Sequence, residues 1–302
     1  MTAPGRARPP INPESGILLV DKPQGITSHD VVARARKFVG TRKIGHAGTL
    51  DPMATGLLVL GANSATRLLT FVVGLDKEYT ATIRLGESSN TDDAEGELTA
   101  WPAAEVADEA IAAGIARLTG PILQRPSSVS AIKVDGKRAY TLAREGQEVV
   151  LAPRAVTIAT FEVLAIRRGS HVDVDVRVEC SSGTYIRALA RDLGADLGVG
   201  GHLTALRRTR IGPFGVSDAL EPGEGMAARM LAPAAVASRL FTRVDLDSDQ
   251  ADDLANGKRI ALPSAAGPVA AVAPDGRLVG LVEVVDGRAR ILANFPPDTV
   301  AE

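Results

Sequence analysis

The chain has 302 residues, 45% of them hydrophobic, and a formal net charge of -2. That length can bury the core of one large domain or two, and the near-neutral sum means that contact with nucleic acid must come from local basic surface. Cys180, the single cysteine, excludes an internal disulfide framework and a four-cysteine zinc site, and it fits a reducing compartment. His29, His46, His171 and His202 form no i, i+4 pair, so no metal is expected. No stretch approaches the roughly 18 apolar residues of a spanning helix, and the N-terminus lacks the apolar centre of a signal peptide. A soluble, cytoplasmic protein with a disordered basic leader over residues 1–12 is expected.

The apolar run Gly16 to Asp21 predicts a buried strand. Thr27-Ser-His-Asp30 resembles a capping box, and Val31, Val32, Ala35, Phe38 and Val39 recur at helical spacing up to a stop at Gly40. Arg34 and Lys37 lie on the other face of this helix. A polar loop containing Asp51 follows, then Gly56-Leu-Leu-Val-Leu60 and a short helix to about Phe71. Tyr79, Ala81, Ile83 and Leu85 alternate with Thr80, Thr82 and Arg84, which predicts a half-buried strand. The acidic stretch Glu87 to Glu97 reads as a solvated loop, and Ala103 to Leu118 as a surface helix.

Residues 120–152 carry Arg125, Lys133, Lys137, Arg138 and Arg144 without strong periodicity, the mark of a functional or disordered insertion. Two alternating strands, roughly 155–167 and 171–180, flank the hairpin signal Gly169-Ser170. A helix is expected from Thr184, a basic strand from Leu203 to Ile211, and a helix ending near Leu240. Asp275-Gly276 and Asp286-Gly287 then predict two hairpins in a small β-rich segment. The fold class is α+β with a mainly antiparallel sheet.

Three elements bear chemistry, each with a plain structural reading beside it. Asp51-Pro52 is a common turn dipeptide. It also sits among His46 and Thr49 on a small-residue loop before an apolar strand, which is how catalytic carboxylates are often presented. Ser181-Ser-Gly-Thr-Tyr-Ile-Arg187 is either a capped helix with an exposed arginine or a helix that aims Arg187 at a buried carboxylate. An opposite charge keeps such an acid ionised, as a nucleophile must be. Tyr79 is either core or a face on which an extruded base replaces its lost stacking. No Walker loop, dinucleotide fingerprint or serine elbow appears, and nothing calls for a cofactor.

Taken together, Lys22-Pro-Gln-Gly-Ile-Thr-Ser28, Gly45-His-Ala-Gly-Thr-Leu-Asp-Pro-Met-Ala-Thr-Gly56, Lys77-Glu-Tyr79, Ser130-Ala-Ile-Lys133, Gly136-Lys-Arg-Ala-Tyr140, Ser182 to Arg187 and His202 to Arg208 resemble the bacterial TruB family of tRNA pseudouridine synthases, in family order. The resemblance implies a pseudouridine synthase domain over 13–240 with an RNA-clasping thumb at about 120–152. It also implies a small PUA-like domain over 243–302. The implied activity is isomerisation of the T-loop uridine at tRNA position 55, without a cofactor.

By the same resemblance, Asp51 is the catalytic aspartate, Arg187 its ion-pair partner, and Tyr79 the stacking residue that helps remove the C5 proton. Tyr185 and Leu206 would line the uracil pocket, Lys22 would join substrate binding, and His46 would hold the extruded nucleotides. Arg34, Lys37, Lys133, Lys137, Arg138, Arg144, Arg207 and Arg208 would contact RNA. The family often has paired prolines where this chain has Pro126-Ser127. A monomer whose large partner is tRNA is expected, with assistance to tRNA folding as a second role. Two other classes stand beside it: an RNA chaperone without catalysis, and a nucleoside hydrolase or transglycosylase using Asp51. The hydrolase would usually need a second carboxylate.

Overall fold

The computed structural model describes residues 14–101, 105–127, 133–134, 137–138 and 151–298. The chain begins with β1 (Gly16–Lys22), α1 (Ser28–Val39), β2 (Ile44–Ala47), β3 (Thr55–Ala62), α2 (Leu69–Val73) and β4 (Lys77–Leu85). It continues through β5 (Glu87–Ser89), β6 (Leu98–Ala100), α3 (Asp108–Arg117), β7 (Gly120–Gln124), β8 (Lys133–Val134) and β9 (Lys137–Arg138). Then come β10 (Arg154–Arg168), β11 (Val172–Cys180), α4 (Ile186–Asp196), β12 (Gly201–Ile211) and β13 (Phe214–Gly215). The last elements are α5 (Pro233–Leu240), β14 (Thr242–Asp245), α6 (Ser248–Ala255), β15 (Pro268–Val272), β16 (Leu278–Val285) and β17 (Arg288–Asn294).

The architecture is mixed α/β with mainly antiparallel strand pairing, as the sequence predicts. Among the described residues no helix is long and apolar enough to cross a membrane. The expected leader, 1–12, lies outside the described residues, as do the side chains of Lys133, Lys137 and Arg138 and the whole of Arg144.

Contacts divide the chain into two compact units. The first comprises Met1–Pro52, Leu57–Val73 and Pro213–Glu302. Its α1 starts where the sequence says it should: the Thr27 hydroxyl accepts from the Asp30 N–H, and the Asp30 carboxylate accepts from the Thr27 N–H. This box satisfies two donors that a helix start leaves open. Gly40 ends the helix in the left-handed region at φ 79°, a conformation that suits glycine. The apolar stripe Val31, Val32, Ala35 and Val39 packs on Leu18, Val20, Leu58 and Leu60. Each of the valines and leucines contributes about 1.5–3 kcal/mol by leaving water.

The segment 243–302 belongs to this first unit while keeping its own sheet, in the order β14-β15-β16-β17, and its own apolar cluster. Both expected hairpins are present, turning at Gly276 and at Asp286-Gly287 with positive φ. α6 has no counterpart among the elements expected from the sequence: its polar run buries only Ala251 and Leu254 and is started by an Asp247–Gln250 capping box.

The second unit comprises Met53–Gly56 and Gly74–Gly212. Its sheet runs β12-β4-β11-β10-β7, all antiparallel, with Thr55 and Gly56 at the start of β3 pairing in parallel with Arg207 and Arg208. Strand periodicity sets the two faces. Lys77, Tyr79, Ala81, Ile83 and Leu85 are buried, and Glu78, Thr80, Thr82 and Arg84 point the other way. On that second face Arg84 donates to both carboxylate oxygens of Asp173, at 2.8 and 3.0 Å.

Candidate functional site

In the first unit, Asp51 sits on the loop between the antiparallel strands β2 and β3, in which His46 faces Leu60 and Ala47 faces Val59. Its neighbours on both sides are fixed through their main chains. The Ser28 hydroxyl, in the first turn of α1 and 1% exposed, accepts from the Leu50 N–H at 2.9 Å and donates to the Leu50 carbonyl at 3.1 Å. The Pro52 carbonyl accepts from Gly25 N–H at 2.9 Å and from the Lys22 ammonium at 3.2 Å. Lys22 is fully buried, and its ammonium also donates to the carbonyls of Pro23 at 3.0 Å and Ile26 at 2.7 Å. A buried ammonium is tolerated only with such partners.

Lys22–Ser28 and the stretch of the second motif up to Pro52 are therefore held together around a partly buried Asp51. The His46 ring packs edge-on against His29, with centroids 5.7 Å apart. Arg34 and Lys37 are exposed on α1.

In the second unit, β4 places Tyr79 opposite Val178 of β11 and Arg208 of β12, and Leu206 opposite Ala81. Tyr79, Leu206 and Arg208 thus share the buried face of the sheet. The expectation that Arg208 meets RNA phosphates is corrected here: its register turns it inward, and it is 2% exposed. Arg207 points to the other face, half-buried, with its guanidinium 3.4 Å from the Thr55 hydroxyl. Burial and nearby Arg208 lower the Lys77 ammonium to about 8, while burial raises the Cys180 thiol to about 11. Cys180 is a buried, unbridged thiol.

Tyr185 directly precedes α4, and Arg187 lies in its first turn with its side chain 5% exposed. The guanidinium of Arg187 donates to the Thr91 carbonyl at 2.7 Å and to the Asp93 carboxylate at 3.2 Å. This corrects in part the reading of Glu87 to Glu97 as a solvated loop: Asn90, Ala94, Glu95 and Glu97 are exposed, but Glu87, Asp92 and Asp93 are buried. The Asp93 carboxylate is itself oriented by the Thr91 hydroxyl at 2.6 Å and the Glu95 N–H at 3.0 Å. Asp92 pairs with Arg191 at 3.2 Å, yet burial pushes its carboxyl above the usual range. Sequence reasoning missed both aspartates because their cationic partners lie 94 and 99 positions away. The only available signal was two adjacent acids in a stretch that also carries Thr91 and Asn90.

The family profile described as "TruB family pseudouridylate synthase (N terminal domain)" matches residues 36–186. "tRNA pseudouridylate synthase B C-terminal domain" matches 187–224, and "tRNA Pseudouridine synthase II, C terminal" matches 241–296. The tRNA pseudouridine synthase B of Leifsonia xyli subsp. xyli is 61% identical over 95% of this chain and 98% of its own length. That of Paenarthrobacter aurescens is 55% identical over 94% of this chain and 96% of its own. Among solved structures, a Cbf5-Nop10-Gar1 complex is similar at TM-score 0.71 and 26% identity, covering 94% of this chain and 85% of that one. The chain belongs to the TruB family of pseudouridylate synthases.

Proposed function

We propose that the chain isomerises uridine to pseudouridine in tRNA, at the T-loop uridine of position 55. The observation that carries this reading is the clamp on both neighbours of Asp51, in a chain whose relatives are named tRNA pseudouridine synthase B. A carboxylate held by main-chain bonds on either side is preorganised for attack rather than left on a mobile turn.

The reaction breaks the bond from C1′ to N1, turns the uracil and joins C1′ to C5, and the C5 proton leaves as N1 regains one. It balances without an oxidant, a reductant or a cofactor. Asp51 is the ionised carboxylate that acts at C1′, at C6 or on the C2′ proton, with Arg187 as its ion-pair partner. Tyr79 takes the extruded base on its ring and assists loss of the C5 proton. Tyr185 and Leu206 line the uracil pocket, and His46 holds the displaced nucleotides. Lys22 serves the substrate through the loop it anchors.

Extrusion costs a few kcal/mol of stacking. Arg34, Lys37 and Arg207 offset it by contacting phosphates, together with Lys133, Lys137, Arg138 and Arg144 in the thumb at 120–152. RNA affinity then falls as salt rises. Residues 243–302 serve as a PUA-like module, and the enzyme works as a cytoplasmic monomer. The test is release of tritium from uracil C5 in a T-arm stem-loop. Stoichiometric release with pseudouridine as product supports the reading. Free uracil would indicate a hydrolase, and bound but unchanged RNA would indicate a chaperone.

A further inference from the structure

Gln124 ends β7, is 2% exposed, and spends its side-chain amide on the main chain of a single residue 61 positions away. Its Nε2 donates to the Tyr185 carbonyl at 3.0 Å, and its Oε1 accepts from the Tyr185 N–H at 2.8 Å. Those two bonds imitate one rung of a strand ladder, and they satisfy an amide that would be costly to bury otherwise. Tyr185 is the cap position of α4 and makes no side-chain capping bond of its own, so this rung fixes the point from which the helix starts. Arg187 follows in the first turn.

The next residue strengthens the joint. The Arg125 carbonyl accepts from Arg191 Nη2 at 2.7 Å, and Arg191 Nη1 pairs with Asp92 at 3.2 Å. Asp92 is adjacent to Asp93, which pairs with Arg187. Two successive residues at the root of the 120–152 insertion are thus tied to α4 at Tyr185 and at Arg191.

We propose that Gln124 is a positioning residue for the uracil pocket, setting where Tyr185 and Arg187 stand and giving the pocket and the insertion a common anchor. This rests on the roles assigned above to Tyr185 and Arg187. A misplacement of about 1 Å is enough to cost orders of magnitude in rate while leaving the phosphate contacts intact.

The experiment uses the full chain with Gln124→Met, which keeps length but removes both bonds, and Gln124→Glu. Single-turnover pseudouridine formation at saturating enzyme, T-arm RNA affinity and the unfolding midpoint are measured together. Gln124→Met should slow the single-turnover rate by about tenfold or more at nearly wild-type RNA affinity. In Gln124→Glu the neutral acid retains donor and acceptor, whereas the carboxylate loses the donor and faces the Tyr185 carbonyl. Its rate relative to wild type should therefore rise as pH falls from about 8 to about 5.5. A merely structural glutamine would shift the unfolding midpoint and leave the rate per folded molecule unchanged at every pH. A wild-type rate in Gln124→Met, or a flat pH ratio in Gln124→Glu, overturns the proposal. A wild type that forms no pseudouridine overturns the site reading itself, and it differs by being inactive before any substitution.

Discussion

Ser28→Ala isolates the clamp on Asp51. The Ser28 hydroxyl is 1% exposed and makes both bonds to Leu50, at 2.9 Å from the N–H and 3.1 Å to the carbonyl. Alanine leaves a donor and an acceptor buried with a gap the size of one oxygen. Each orphaned group costs about 1–3 kcal/mol, so the two together should cost about 2–6 kcal/mol, relieved partly if the loop moves. For a chain of this size that corresponds to roughly 5 °C or more in the unfolding midpoint.

Movement of the loop is what carries the functional effect: Leu50 and Asp51 are neighbours, and a shift of about 1 Å in a reacting group costs about 100-fold in rate. Differential scanning fluorimetry and single-turnover tritium release measure the two effects. Thr27→Ala is the control, because it removes the α1 cap at a cost of about 1 kcal/mol without touching Leu50. Thr27→Ala should lower the midpoint and spare the rate, whereas Ser28→Ala should lower both. Ser28→Ala with wild-type rate and midpoint would refute the clamp.

Three further outcomes follow from the second unit. Asp93→Asn removes the carboxylate charge 3.2 Å from the buried Arg187 guanidinium and should destabilise by about 3–5 kcal/mol, read by urea unfolding; unchanged stability would mean the pair is dispensable. Gly56 has φ +101°, and an added Cβ would lie 2.2 Å from the Arg208 carbonyl oxygen, so Gly56→Ala should yield little folded protein, checked by circular dichroism. Lys77 titrates at about 8 when folded against 10.5 when unfolded, so between those values the unfolded chain holds the proton that the folded one has lost. Its contribution to stability should therefore rise with pH across that window by up to about 3 kcal/mol, and urea titrations of wild type against Lys77→Met should show the difference disappear as pH rises.

What was legible in the sequence was local. The α1 cap and stop, the alternation through β4, and the hairpin turns at Gly276 and Gly287 depend on residues a few positions apart, and the structure follows them. The ordered motifs marked Asp51, Tyr79 and Arg187, but not what holds them in place. Ser28 and Leu50 are 22 positions apart, Gln124 and Tyr185 are 61, and Arg187 and Asp93 are 94, so each pairing exists only after the chain is folded. Asp92 and Asp93 looked solvated because acids usually are, and a distant arginine reverses that. Arg208 looked basic and available, but one residue of strand register separates it from the half-exposed Arg207.

The central claim is that Asp51, as an ionised carboxylate, performs the chemistry rather than the binding. Single-turnover tritium release from a T-arm stem-loop by Asp51→Asn, alongside its RNA affinity, tests that most directly. The account predicts release below detection at near-wild-type affinity, because the amide keeps the shape of the loop and loses the charge. Substantial release by Asp51→Asn would contradict it.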